Sequence, residues 1–115
     1  MEAARIDFQQ VRIKHILYKS KVRSVLYGGS FDEDFFSSSG PVGSWFNTIG
    51  LELYGHYPEM QELYLLHQQL NASALQLIGM YRRGLIDQAH NDLKIVDQKS
   101  ELFLATLSRL EQKLA

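Results

Sequence analysis

Residues 58–84 read PEMQELYLLHQQLNASALQLIGMYRRG, and this stretch decides the fold class. Pro58 opens it with Glu59 and Glu62 close behind. That suits a helix start, where a missing amide proton costs nothing and carboxylates favour the positive end of the dipole. Leu63, Leu66, His67, Leu70, Ala74, Leu77, Ile78 and Tyr81 recur at steps of three and four, drawing one stripe along a helix. Arg82 and Arg83 place positive charge in the last turn, and Gly84 ends it.

A stripe of this length needs other helices to bury it, and the flanking sequence offers them. Upstream, from about Ala3 to Tyr27, the inward positions are Val11, His15, Tyr18, Val22, Val25 and Leu26, and Gly28-Gly29-Ser30 terminates the run. Downstream, from about Leu85 to Leu114, a seam reads Ala89, Leu93, Val96, Ser100, Phe103, Leu107, Leu110 and Leu114. Between the first two segments lies an irregular stretch from Ser30 to Gly40. Pro41 then opens a short helix expected to carry Trp45, Phe46 and Ile49 and to stop around Gly50. A loop from Tyr54 to Pro58 leads back to the long stripe. No segment alternates as a strand would. The expected fold is all-α, an antiparallel four-helix bundle with three long helices and one short one, forming a single domain over residues 1–115.

Composition narrows the function. With 115 residues, 45% hydrophobic and 22% charged, the chain has the make-up of an ordinary globular domain. Its net charge is −1 and its twelve Lys and Arg are spread out, so it lacks the concentrated positive field that nucleic-acid backbones require. The absence of cysteine excludes disulfides and any zinc site that draws sulfur from this chain. No segment approaches the roughly 18 apolar residues of a membrane span, and the N-terminus lacks the pattern of a signal peptide, so a cytoplasmic location is expected. Nucleophile motifs, phosphate-cradling glycine loops and paired carboxylates are all missing, so the chain is read as non-enzymatic.

The residues that stand out are histidines. His15 and His67 sit on the inward stripes of two different helices, where burial is costly unless the ring nitrogens find partners. An isolated core histidine is most simply one that bonds a neighbouring side chain or carbonyl. Two on converging stripes strengthen the case for a metal or small ligand without displacing that reading. His56, in a Gly-His-Tyr-Pro loop, is expected to be solvated or packed on Tyr57, and His90 falls one step off the seam of the last helix. Trp45, the only tryptophan, reads as the plug that packs the short helix onto the long ones. Phe31, Phe35 and Phe36 either cover an open end of the bundle or form a patch for another subunit. Asp32, Glu33 and Asp34 read as a solvated loop.

Taken in order, these features resemble the chemoreceptor zinc-binding domain of bacteria, a four-helix module found in chemotaxis receptors and diguanylate cyclases. The family's His-x-x-Trp-Lys corresponds to His15-Ile-Leu-Tyr18-Lys19, its Cys-x-x-Gly-Lys-Trp to Gly40-Pro-Val-Gly43-Ser44-Trp45, and its His-x-x-x-His to His67-Gln-Gln-Leu-Asn71. The resemblance runs from about Asp7 to Glu111. It implies a zinc ligand set of three histidines and one cysteine, of which His15 and His67 remain, while Gly40 and Asn71 stand as non-ligand replacements and Tyr18 and Trp45 pack nearby. Two imidazoles do not close a tetrahedral structural site, so the fold is expected to persist without tight zinc, with Asn71 bonding His67 or His15 in its place. The role implied is a sensory, regulatory or protein-interaction module. Its partner would be a signalling protein or a second copy in a homodimer; the alternative is a metal or small-ligand sensor built on His15 and His67.

Overall fold

The computed structural model describes residues 2–115. Among them the elements are α1 (Glu2–Leu26), α2 (Pro41–Trp45), a π-helical turn (Phe46–Gly50), α3 (Leu51–Tyr54), α4 (Pro58–Arg82), α5 (Ile86–Asn91) and α6 (Leu93–Lys113), with no strand. The all-α expectation holds. The short arm is longer than the sequence implied: it continues past Gly50 to Tyr54 through the π turn.

Cross-helix contacts fix the directions. Arg12 of α1 pairs with Glu111 of α6, and Lys19 lies 3.3 Å from Asp97, so these two helices run antiparallel. Glu62 meets Arg109 at 2.9 Å and Glu59 meets Lys113 at 3.1 Å, which sets α4 antiparallel to α6 in the same way. The α2–α3 arm runs back down α1, because Tyr54 at its far end donates a 2.6 Å hydrogen bond to Asp7. Up, down, up and down, the four arms form the antiparallel bundle.

Its helix ends follow from local chemistry. Gly28 (φ 101°) and Gly84 (φ 88°) adopt the left-handed conformation that closes a helix. Behind them Gly29 N–H reaches the Ser24 carbonyl at 2.7 Å, and Leu85 N–H reaches that of Met80 at 3.0 Å. Tyr57 and Gly40 are extended, and each precedes a proline at the first helical position. The expected single last helix is broken at Asp92, where Asn91 and Asp92, both poor interior helix formers, sit together. The Ile95 N–H turns back to the Asp92 carbonyl at 2.9 Å, a three-residue closure in place of a four-residue one. The seam is unaffected: Ala89, Leu93, Val96, Ser100, Phe103, Leu107 and Leu110 are all buried.

The core runs the length of the bundle, with Phe8, Tyr18, Trp45, Phe46, Met60, Leu63, Leu70, Phe103 and Leu107 essentially inaccessible. In the 31–36 loop Phe36 is buried, with Phe31 stacked on it at 5.3 Å and Arg82 placed 4.4 Å over the Phe31 ring. These rings cover the bundle, whereas Asp32, Glu33 and Asp34 are exposed. His90 donates from Nε2 to the Leu26 carbonyl and stacks on Tyr27 at 3.9 Å, tying α5 to the end of α1. His56 packs on Tyr57 at 4.2 Å.

Candidate functional site: a buried imidazole pair

The two inward histidines are where the stripes put them. His15 is wholly buried and His67 is 8% exposed. The Nε2 of His15 and the hydroxyl of Ser100, on the seam of α6, share a 2.7 Å hydrogen bond, and the His15 ring lies flat on Phe103 with centroids 4.4 Å apart. His67 faces the edge of Tyr18 at 5.3 Å and tilts against Phe46 at 5.9 Å. Phe46 in turn meets Phe103 edge-on at 6.4 Å, so two phenylalanines connect the imidazoles across the core. Both rings keep an unpartnered, buried Nδ1, and Trp45 keeps an unpartnered Nε1.

Burial sets the charge state. It lowers the pKa of His15 to about 4, helped by repulsion from His67 and Lys19, and burial lowers that of His67 to about 4 as well. Both rings are therefore neutral at neutral pH. Burial likewise pushes the Tyr18 phenol up, out of the range where it ionises.

Asn71 does not bond either imidazole, contrary to the sequence expectation. Its carbonyl accepts from the Tyr18 hydroxyl, and its amide donates to the Phe36 carbonyl at 2.9 Å. The physical reason is competition: the loop delivers an otherwise unpaired backbone carbonyl beside Asn71, and Tyr18 delivers a donor, so both ends of the amide are satisfied away from the histidines. Ser100 takes the partner role for His15 instead. Its signal was legible in part, as a polar residue at an inward seam position opposite a polar residue on another inward stripe.

Gly40 is buried and packed against the preceding loop. A Cβ built on it would stand 2.0 Å from the Phe35 carbonyl oxygen. Trp45 is buried with its benzo edge toward Gly50, where an added Cβ would come within 2.5 Å of Cζ3. Tyr18, Trp45, His15 and His67 thus share one core region, with Asn71 and Gly40 at its loop side.

A four-ligand zinc centre does not fit these residues. Among the described residues no group of three or more His, Cys, Asp or Glu could hold a metal ion. His15 already spends Nε2 on Ser100, Asn71 spends its amide on Tyr18 and Phe36, and the Gly40 backbone has no room for a side chain without a shift of the loop. Among the described residues no helix is long and apolar enough to cross a membrane. Comparison with protein-family models, with curated proteins and with solved structures gave no match.

Proposed function

We propose that this chain is a non-catalytic regulatory or protein-interaction module of the chemoreceptor zinc-binding type, working in bacterial chemotaxis or cyclic-di-GMP signalling, in which hydrogen bonds and close packing take the place of the metal. One observation carries the reading. The positions corresponding to the family's ligands gather in one region of the core, and each is occupied in a way that needs no zinc: His15 on Ser100, His67 neutral among aromatic rings, Asn71 across Tyr18 and Phe36, and Gly40 against Phe35. A bundle closed in this way presents a fixed outer surface, and output would come through what binds that surface.

The orphaned Nδ1 atoms favour a second reading, a sensor whose guest metal or small ligand engages His15 and His67. Metal content decides between the two. Protein purified without chelator or affinity metal should carry well under one zinc per chain and melt at the same temperature with and without EDTA. Stoichiometric zinc, or a melting temperature lowered by chelation, would transfer the weight to the sensor.

A further inference from the structure

The outer side of α1 is divided unevenly. Six of the chain's twelve Lys and Arg lie on this helix, against two acids, Glu2 and Asp7. On the flank toward α6 the cations are matched: Arg12 pairs with Glu111 and Lys19 with Asp97. On the flank toward α2, Lys14 and Lys21 have no carboxylate among the described residues, although both are only partly exposed. Beside Lys14 runs a groove of about 470 Å³ lined by Ile13, Leu17, Pro41, Trp45, Ile49 and Lys14 itself, and Lys21 follows two turns farther along the same side of α1. Ile13 and Leu17 are 51% and 59% exposed there, so aliphatic surface and unpaired charge meet in one concave strip.

We propose that this groove receives an amphipathic helix of a partner protein, whose apolar stripe fills it and whose Asp or Glu residues pair with Lys14 and Lys21. The inference rests on the interaction-module reading and names the partner's chemistry. Charge complementarity selects the occupant. A symmetric second copy docked through the same face would set cation against cation along its flanks. A flat anionic lipid surface would touch the α1 ridge and leave the concave strip beside it empty. A single helix fits, with apolar anchors every three to four residues and acids at its edge. Lys14 and Lys21, two turns apart on one side, set the spacing of those acids.

The test uses two labelled helical peptides of about five turns that share one leucine stripe and carry either glutamate or lysine along its edge. Anisotropy of the label reports binding anywhere on the protein, and emission from Trp45, the only tryptophan, reports occupancy of the groove. The glutamate peptide should saturate both signals and weaken as salt rises, and the lysine peptide should not bind. Lys14→Glu should reverse that preference, weakening the glutamate peptide about tenfold, and Leu17→Ser should weaken it without changing the preference, both variants keeping the parent's circular dichroism. The proposal is overturned by equal binding of both peptides, by no binding of either, by binding indifferent to Lys14→Glu, or by recruitment to phosphatidylglycerol vesicles in place of the peptide. Anisotropy that rises while Trp45 stays silent removes the groove and leaves the interaction reading standing.

Discussion

Acidification from about pH 7.5 to about pH 5 should weaken this fold by a large part of its stability. In the folded chain His15 and His67 hold protons only below about 4, whereas the unfolded chain takes them up near the ordinary 6.5. The unfolded state therefore binds more protons between those values, so stability is full above about 6.5 and falls as pH drops toward 4. At pH 5 each imidazole contributes a loss of about 2 kcal/mol, and the pair about 4, against a typical total of about 5–15 kcal/mol. Carboxylates titrate mainly below this window, which leaves it to the histidines. Urea unfolding followed by Trp45 emission at several pH values measures the effect directly. Replacing His67 with Phe, which keeps an aromatic ring beside Tyr18 and Phe46, should remove about half of the pH dependence. A stability that stays level from pH 7.5 to 5, or a dependence untouched by His67→Phe, would refute the reasoning.

Further outcomes follow from single contacts. Ser100→Ala leaves the Nε2 of a fully buried histidine without its hydrogen bond, and the melting free energy should drop by about 1–3 kcal/mol, measured by thermal or urea unfolding. Tyr18→Phe strands the Asn71 carbonyl at a smaller cost, about 1 kcal/mol, because Asn71 keeps its bond to Phe36. Gly50→Ala drives a methyl group into the Trp45 ring and should destabilise by about 1–3 kcal/mol, with a shifted tryptophan emission. Gly40→Cys combined with Asn71→His rebuilds the ligand types of a zinc site, yet the new Cβ meets the Phe35 carbonyl. The double variant should lose stability and take up no stoichiometric zinc by elemental analysis.

Periodicity made the long helices legible, because their stripes are set by burial and burial is a property of residue type. Gly28 and Gly84 marked the ends of α1 and α4 where only a residue without Cβ closes the helix at no strain. His15 and His67 were placed inside for the same reason. What escaped depends on register between distant segments. The partner of His15 is a serine 85 residues away, and the partners of Asn71 include a backbone carbonyl, which no side-chain pattern announces. The continuation through Gly50 was hidden because glycine normally ends helices. Here it is needed inside one, where Trp45 and Met60 approach too closely for a side chain. The break at Asp92 left no mark on the seam, since the tightened turn keeps Ala89 and Leu93 on one side.

The wide turn at Phe46–Gly50 governs which way its neighbours look. An ordinary helix rotates about 100° per residue, so an added residue turns every side chain beyond it by that angle unless a wider turn absorbs it. The wide closure absorbs one residue after Trp45 and Phe46, both sunk in the core, so that Tyr54, at the end of the same arm, still reaches Asp7 and packs on Phe8. One more residue inserted there, beyond the one the wide turn already absorbs, would turn everything beyond it by roughly that same angle. Tyr54 would swing away from Asp7, and the arm would be unpinned from the first helix at its base. Length, as much as identity, is thus fixed at this point of the chain.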